Sequence, residues 1–575
     1  MEDIIYLTAW KRGLLSAERN KRMAEKEFNL LEEPWIRVLA DDLSVKEVSL
    51  TDALVNAHKY RKLAGEMPTQ DVAILRLLLA CIQTIFYRYD AQGNKDPIDE
   101  DWDEEMVIDR WEEYLNAGCF SEQCIRGYLN EYKERFWLFH PKTPFYQVAD
   151  LSYGTDYGAQ GLLGNLKSSN NKATKYHFSM NEGMQIQSLP YADAARWLVN
   201  LNAYSVNVKS DKKAPGTKDA AGTGRLGKLG LIYVDASDLF ELILRNLVPL
   251  NPTGEVWGSP SPIWEQEIHD QQSIAIVPPD NLPERYTLQS RRILLNRDDG
   301  RVIGVRAANG DFFGYEDDFG EPMTLWKKTK KGTRKDAPIV YMPKQHKPHM
   351  QIWREFSSIF ITDEGTHIPG VVHWINMLCK YDLIPRDEVI TLRTAGIRYG
   401  DGMSYTYGDS LSDGLSLSAV LLAEMGRDLR TLIQDEIEKC VLVTDMAMKL
   451  FAAKAAQVLN LNSSEDLSQK LTEEFYAQID GSFREWLSGI KPLEDQKEMK
   501  AAEWEEIAFR VARDVVQEKV EGFGENLFLF RESGGDVVSI PQAYNQYLWR
   551  IRGLYGQDVT GAVIGESIQK ENGKE

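Results

Sequence analysis

The sequence predicts an α+β protein in which a large, irregular mixed α/β domain is followed by a C-terminal four-helix bundle. Two patterns in the 575 residues carry this prediction. Up to about Ser410, short apolar segments typical of strands alternate with helical segments and with long loops rich in glycine, proline and aromatic residues. After Ser410, apolar residues recur at helical spacing between short polar loops, which indicates an antiparallel bundle.

These patterns divide the chain into a charged N-terminal extension (residues 1–27), a mixed domain (28–410) and a bundle (411–575). Serines at 463 and 539 stand in capping-box patterns that predict two helix starts. Because the bundle has its own apolar positions, we expect a chain ending near Ser410 to keep the fold of the mixed domain. The helical apolar positions are Leu422, Met425, Leu429, Leu432, Ile433 and Ile437, and later Trp504, Ile507, Ala508, Val511 and Val515.

Composition indicates a globular cytoplasmic protein. The chain is 43% hydrophobic and 10% aromatic and has a formal net charge of −20. No apolar run is expected to approach the roughly 20 residues that a membrane helix needs. Five scattered cysteines suit a reducing compartment and argue against a disulfide framework.

The stretch GTGRLGKLG (Gly222–Gly230, the glycine loop) matches two phosphate-binding patterns, G-x-G-x-x-G and G-x-x-x-x-G-K. Both patterns need a strand before the glycines and a helix after them, so that backbone N–H groups point at phosphate. Here a polar loop precedes the glycines and LIYVD, which follows them, predicts a strand. A phosphate-loop NTPase using Gly222–Lys228 is therefore the alternative function, and a flexible linker is the plain structural alternative.

Basic residues concentrate around the glycine loop although the chain is acidic. Residues 209–228 contain six lysines and arginines against two aspartates, and a second basic block spans residues 326–347. Each block alone is more typical of a solvated surface. Two glycine-containing basic loops together favour a polyanion such as a nucleic-acid backbone.

The sequence predicts neither an enzyme nor a metal or cofactor site. His140 lies between aromatic and proline residues and is interpreted as a structural histidine in a tight turn. His346 and His349 are three residues apart, but Pro348 disfavours the helix that would bring them together. The close cysteine pair in CFSEQC has no second pair to complete a zinc site.

Four segments carry a resemblance to a known family. They are FNLLEEPWIRVL (28–39), FWLFHPKTPFYQV (136–148), YTLQSRRILL (286–295) and EPMTLWKK (321–328). Their order resembles the CasA family, the large subunit of the type I-E CRISPR surveillance complex called Cascade. The first segment and the pattern HP..PF.Q in the second are the most specific, and the resemblance extends from Phe28 to the C-terminus.

The resemblance implies a non-enzymatic DNA reader. Members of this family recognise the protospacer-adjacent motif on double-stranded DNA through the minor groove, promote duplex opening for guide RNA pairing and recruit a helicase-nuclease. It also implies a large mixed domain followed by a four-helix bundle. The implied partners are the small-subunit dimer, the backbone subunits, the CRISPR guide RNA, double-stranded target DNA and the helicase-nuclease, with no membrane.

The resemblance assigns site residues. The glycine loop would approach the minor groove by its backbone, and a lysine finger, preferably Lys328 over Lys327, would enter the same groove. The segment IRYGDGMSY (Ile397–Tyr405, the wedge hairpin) corresponds to a polar wedge that separates the first DNA base pair in relatives. Its tip lacks the glutamine that some relatives carry, so the resemblance leaves open whether this segment separates the DNA strands. No cysteine precedes the lysine finger, so no zinc knuckle is expected. The predicted DNA contacts are Ala221, Gly222, Gly224, Lys327, Lys328, Arg398, Asp401, Gly402 and Met403.

The loop NNKATKYHFSMNEGMQ (170–185) corresponds to a family element that reaches the backbone subunits and the guide RNA. Phe178 is its predicted anchor, because an exposed aromatic ring can stack on a base. The alternative is an ordinary core phenylalanine.

Overall fold

The structure is a computed structural model that describes residues 25–164, 167–169, 172–174, 187–206, 222–268, 271, 275–331, 337–347, 350–360, 367–400, 405–422, 426–491, 496–533 and 536–556. The chain divides into two compact units. The first comprises Met1–Met350, His367–Leu383 and Thr391–Gly414, and the second comprises Gln351–Thr366, Ile384–Ile390 and Leu415–Glu575.

Helices occur in both units and dominate the second. In chain order they are Leu50–Val55 (α1), Pro68–Phe86 (α2), Glu104–Ala117 (α3), Glu122–Glu131 (α4), Tyr191–Tyr204 (α5), Leu239–Asn246 (α6), Leu282–Thr287 (α7), Phe356–Ile359 (α8), Gly370–Lys380 (α9), Arg427–Leu442 (α10), Lys449–Leu459 (α11), Glu465–Ser488 (α12), Lys497–Glu521 (α13) and Ile540–Leu554 (α14).

Strands are short and fall mostly in the first unit. They are Glu27–Asn29 (β1), Ile36–Ala40 (β2), Val45–Val48 (β3), Tyr60–Leu63 (β4), Trp137–Phe139 (β5), Thr155–Gly158 (β6), Lys167–Ser169 (β7), Lys172–Thr174 (β8), Leu189–Pro190 (β9), Ile232–Val234 (β10), Arg291–Asp298 (β11), Arg301–Asn309 (β12), Trp326–Lys330 (β13), Ile339–Pro343 (β14), Val389–Tyr399 (β15), Tyr405–Ser418 (β16), Phe530–Ser533 (β17) and Asp536–Ser539 (β18).

The strands form several small sheets. The larger ones have the strand orders β10-β15-β16-β7-β8 and β11-β12-β6, with β9 also pairing β12, and β3-β2-β4 forms a third. Three two-stranded ribbons, β1-β5, β13-β14 and β17-β18, complete the described set. The predicted class, a mixed α/β part followed by helices, is confirmed.

Helix α2 forms the centre of the first unit and packs against α5 and α7. It is long and apolar enough to cross a membrane by length and composition, and nearly all of it is buried inside the protein. The expectation that no apolar run approaches that length was therefore wrong. The continuous apolar pattern arises because this helix is enclosed by protein on all sides.

The two most specific sequence segments lie side by side. Strand β1 pairs with β5 so that Glu27 is opposite Phe139. Residue Gln147 connects this ribbon to β11, because its Nε2 donates to the Leu138 carbonyl at 2.7 Å and its Oε1 accepts from the Leu295 N–H at 2.8 Å. The predicted extension overlaps this ribbon at Glu27, and its residues 1–24 lie outside the described part.

Helices α10 to α14 form the bundle in the second unit. A π-helical segment, Val443–Met448, joins α10 to α11, so these two helices run on as one and the bundle has four members. The predicted start at Ser539 is confirmed, since its hydroxyl caps α14 by accepting from the Gln542 N–H. The other helix begins at Glu465, one residue later than the pattern at Ser463 predicts: its N-cap is Ser464, which makes no side-chain cap bond, and the Ser463 hydroxyl accepts from the Glu465 N–H at 3.1 Å.

The second unit also takes in chain that precedes Ser410. Trp353 is fully buried, stacks on Phe483 with ring centroids 4.2 Å apart and donates from Nε1 to Asp480 at 2.7 Å. A chain ending near Ser410 would leave this indole without its partners. A truncation that tests the mixed domain must therefore also replace the exposed apolar residues of segment 351–360.

Candidate nucleic-acid interface

The glycine loop begins beside the end of helix α5 and leads into strand β10. The Gly224 N–H donates to the Ser205 carbonyl at 2.8 Å, which fixes the loop to the helix end. A single 3₁₀ turn, Arg225–Lys228, follows, and β10 begins at Ile232 as the segment LIYVD predicts. Because no α-helix follows the glycines, the loop lacks the dipole that a nucleotide-binding phosphate loop uses.

Two glycines of the loop need to be glycine for different reasons. Gly224 is buried, and a Cβ added to it would collide with the backbone of Ala203 and Tyr204. Gly222 is partly exposed and has φ +70°, and an added Cβ would meet the flexible end of Lys228 at 2.7 Å. Of these two predicted contacts, Gly222 is therefore the one whose backbone a groove can reach.

The cations of the glycine loop are less exposed than the sequence indicates. Arg225 is buried, with its guanidinium 3.6 Å from the Phe313 ring centroid and 4.1 Å from that of Tyr315. Lys228 is partly buried, and burial together with Arg225 and Arg291 lowers its pKa. The four lysines at 209–218 lie outside the described residues.

A buried arginine that sequence reasoning gave no role holds the loop from behind. Arg291, at the start of β11, donates from Nη2 to the Gly222 carbonyl at 2.5 Å and to the Val206 carbonyl at 3.1 Å. Burial lowers the pKa of Arg291 to about 10, so the guanidinium stays charged at neutral pH. In the described part of the chain no carboxylate pairs with it, so its charge adds a positive field behind Gly222.

A buried ion-pair network continues from the loop. The Asp318 carboxylate pairs with Arg225 and also with Arg285, whose Nη1 lies 2.8 Å from both carboxylate oxygens. Next to it, Arg76 of α2 makes two bonds of 2.7 and 2.9 Å to Glu321. These pairs bind the glycine loop and the segment before β13 to helix α2.

Strands β13 and β14 form the lysine hairpin (Trp326–Pro343) beside the glycine loop. The Leu325 N–H donates to the Gly230 carbonyl at 2.9 Å, and the Gly230 N–H donates to the Thr324 hydroxyl at 3.1 Å. The glycine loop is thus hydrogen-bonded to the residues directly before the lysine hairpin. The basic tip of the hairpin, residues 332–336, lies outside the described part.

Lys327 and Lys328 are both exposed, but they project to opposite sides of the ribbon because strand side chains alternate. Lys327 is paired with Met342 and Lys328 with Tyr341. The Lys328 ammonium lies 5.7 Å from the Tyr341 ring centroid. A single groove can therefore receive one of these lysines and not both.

The wedge hairpin is described as far as its first strand. Arg398, near the end of β15, lines a cleft together with Gly227 and His346. The predicted contacts Ala221, Asp401, Gly402 and Met403 lie outside the described residues, and so does Phe178.

His140 has a structural role, as its sequence context predicts. Its Nδ1 accepts from the backbone N–H groups of Lys142 and Thr143 at 3.1 and 2.8 Å, which closes the turn. Burial lowers the pKa of the imidazole, so it is neutral at physiological pH. In the described ranges no group of three or more His, Cys, Asp or Glu side chains is arranged to hold a metal ion.

The different packing of the two glycines gives a testable prediction. Replacing Gly224 with alanine should lower the thermal midpoint, because overpacking costs about 1–3 kcal/mol. Replacing Gly222 with asparagine, which tolerates positive φ, should preserve that midpoint. It should weaken the binding of duplex DNA by the complex that the resemblance implies for this chain. An unchanged midpoint in Gly224→Ala would contradict the packing account, and wild-type duplex affinity in Gly222→Asn would contradict the backbone approach.

The sequence of this chain is similar to that of known proteins along most of its length. The family model for CRISPR-associated protein Cse1 matches residues 29–515. A CRISPR-associated protein CasA/Cse1 of Thermus thermophilus is 29% identical over 387 residues, which cover 64% of this chain and 68% of that protein.

Solved structures agree in fold. Cse1 of Thermobifida fusca is 26% identical with a TM-score of 0.76, over 92% of this chain and 98% of that one. A chain of a CRISPR RNA-guided surveillance complex is 16% identical with a TM-score of 0.65, over 92% of this chain and all of that one (100%).

Proposed function

The chain belongs to the CRISPR-associated protein Cse1 family, and on this premise we propose that it reads a protospacer-adjacent motif on double-stranded DNA as the large subunit of a type I-E CRISPR surveillance complex. It promotes duplex opening beside that motif, so that the guide RNA can pair with the target strand. The chain supplies no chemistry, and a recruited helicase-nuclease degrades the target.

The observation that carries this proposal is the hydrogen bonding of the glycine loop to Thr324 and Leu325, directly before the lysine hairpin. The Gly230 and Leu325 contact joins the loop that contains the partly exposed Gly222 to the chain directly before the exposed lysines of β13. A backbone without side chains and a long cation suit the narrow, negatively charged minor groove. Contacts to minor-groove edges discriminate A·T from G·C and tolerate several sequences.

Local charge supports a DNA partner on an acidic protein. Three buried arginines, Arg76, Arg225 and Arg285, share two carboxylates, Asp318 and Glu321, and Arg291 adds a further positive charge. Buried charges are screened less by salt than surface charges are. The field behind the glycine loop is therefore positive, although the net charge of the chain is −20.

The other partners follow from the same premise. The bundle contacts the small-subunit dimer, and the loop around Phe178 reaches the backbone subunits and the 5′ end of the guide RNA. The complex acts in the cytoplasm. The wedge hairpin enters beside the motif, and Met403 acts as an apolar wedge between base steps.

The phosphate-loop NTPase remains the rival proposal. The 3₁₀ turn after Gly224 and the buried position of Arg225 disfavour it, because a triphosphate needs free N–H groups at a helix start. Saturable ATP binding to the purified chain would support this rival against a DNA reader.

The proposal is tested by leaving the chain out of the complex. Complexes of guide RNA and the other subunits, assembled with and without it, are titrated with guide-matched duplexes carrying every trinucleotide beside the target. We expect tight, motif-dependent duplex binding with the chain present and its loss without the chain. Binding to single-stranded target should remain in both cases, because guide pairing supplies it. Equal duplex binding without the chain would contradict the proposed function.

A further inference from the structure

A cleft of about 360 Å³ opens where the glycine loop, the end of the lysine hairpin and the wedge hairpin meet. Its walls come from Leu226 and Gly227 of the loop, Gln345 and His346 after β14, and residues 396–399 of β15 with the Gly400 that follows. Clefts of about 300–1,000 Å³ are typical of sites for small molecules. Every part of this wall belongs to the first unit.

One glycine keeps the cleft open. Gly396 lies inside strand β15, where a glycine weakens the strand and often marks a bulge, a tight bend or a site that a ligand or another backbone approaches closely. A Cβ added to it would meet nothing nearer than Leu411 at 3.9 Å, and its φ is not in the left-handed region. Neither the backbone nor the packing in the described surroundings requires glycine here. What the missing side chain leaves is space beside Leu411, which also lines the cleft.

The polar groups of the wall are held in fixed positions. The Gln345 Nε2 donates to the Gly227 carbonyl at 2.6 Å, and the His346 Nε2 donates to the Leu231 carbonyl at 2.7 Å. The Tyr399 hydroxyl donates to the Tyr204 carbonyl at 2.6 Å, which anchors its ring. The Arg398 guanidinium adds positive charge.

Apolar surface, an aromatic ring, an amide and a guanidinium together suit a flat, polar-edged ring attached to an anionic backbone. Bases stack on aromatic and arginine side chains, and amide groups bond their edges. A cleft of about 360 Å³ has room for one base. A base already unpaired avoids the cost of flipping.

We propose that this cleft binds a single unpaired nucleobase of the target DNA next to the protospacer-adjacent motif. The proposal rests on the proposed function, because it needs the duplex to be held by the neighbouring glycine loop and lysine hairpin. Capture of that base holds the opened duplex apart before the guide RNA has paired along the target.

The test combines a blocked cleft with base removal. Gly396→Ile fills space with a strand-favouring side chain, and Gly414→Ile makes the same change in β16, outside the cleft wall, where a Cβ meets nothing nearer than 3.6 Å. Both variants are checked for unchanged thermal midpoints and assembled with guide RNA and the other subunits. Each complex is titrated with duplexes that carry an unpaired bubble beside the motif, with one abasic nucleotide moved through the bubble.

For the wild type and Gly414→Ile, we expect one abasic position to lower affinity about tenfold, the scale of one lost stacked base. Gly396→Ile should bind the intact bubble about tenfold more weakly and lose its sensitivity to that position, while its affinity for a motif-bearing duplex that does not match the guide, and so stays paired, is unchanged. Gly396→Ala adds a smaller side chain, so its affinity for the intact bubble should lie between those of the wild type and Gly396→Ile.

The failures are distinguishable. A wild-type complex that reads the motif but is insensitive to every abasic position overturns the cleft proposal alone. So does a Gly396→Ile complex that behaves like Gly414→Ile, or that loses paired and unpaired substrates equally. A wild-type complex that ignores the motif overturns the proposed function and the cleft proposal with it.

Discussion

Replacing Lys328 with alanine is expected to weaken binding of the assembled complex to motif-bearing duplex DNA, and the matched change Lys327→Ala is expected to have much less effect. The two side chains project from opposite sides of the β13-β14 ribbon, so one groove can receive one of them. Losing a phosphate contact should also reduce the slope of log K against log[salt] by about 0.9, because fewer counterions are released.

Titrations of both single variants and the double variant over a range of salt concentrations test this assignment. The double variant should match Lys328→Ala in affinity and in slope. A larger loss of affinity in Lys327→Ala than in Lys328→Ala would show that Lys327 is the lysine finger. Unchanged affinity and slope in the double variant would remove the lysine hairpin from DNA binding.

The second large effect is on stability. Replacing Glu321 with glutamine should lower the free energy of unfolding of the first unit by about 3–5 kcal/mol, because it leaves the buried Arg76 guanidinium without a counter-charge. Arg76 and Glu321 are 3% and 1% exposed in their side chains, so water cannot replace the lost bond. Urea denaturation of the full chain measures this.

The same chemical change at a surface pair is the control. Glu316 pairs with Lys331 at 2.6 Å with both side chains exposed, so Glu316→Gln should leave the free energy of unfolding nearly unchanged. Equal effects of the two substitutions would contradict the role assigned to the buried pair.

The Glu321 pair also has a pH signature. Burial alone would raise the pKa of the Glu321 carboxyl, but Arg76, with Arg285 and Arg225, outweighs burial and holds that pKa below its ordinary value. A carboxyl with a depressed pKa in the folded state stabilises the fold above its unfolded pKa, and that stability is lost as the pH falls through the folded value. The difference between wild type and Glu321→Gln should therefore shrink in acid.

Local signals predicted much of this structure because they depend on neighbouring residues. The β-branched and aromatic segment after the glycine loop forms β10, and Ser539 begins the last helix. Apolar spacing also found the bundle, since Leu429, Ile433 and Ile437 are buried on one face of α10.

What the sequence did not predict depends on partners far along the chain. Arg225 reads as a surface cation, yet its carboxylate partner, Asp318, is 93 residues away. The sequence around Gly224 is typical of a linker, and only the structure shows that this glycine packs against the backbone of Ala203 and Tyr204. Trp353 belongs with Asp480, 127 residues later, so no boundary drawn from local pattern could assign it to the second unit.

The central claim is that this chain reads duplex DNA from the minor groove, and base analogues that alter one groove at a time test it most directly. Once the preferred motif is identified, the assembled complex is titrated with matched duplexes in which motif guanines are replaced by inosine, which removes the minor-groove amino group, or by 7-deazaguanine, which removes the major-groove N7 acceptor. A G·C pair in the motif, or one introduced into a tolerated motif position, provides the site. We predict that inosine changes the affinity at one or more motif positions and that 7-deazaguanine leaves it unchanged. Sensitivity to 7-deazaguanine with none to inosine would place the reader in the major groove and contradict the account.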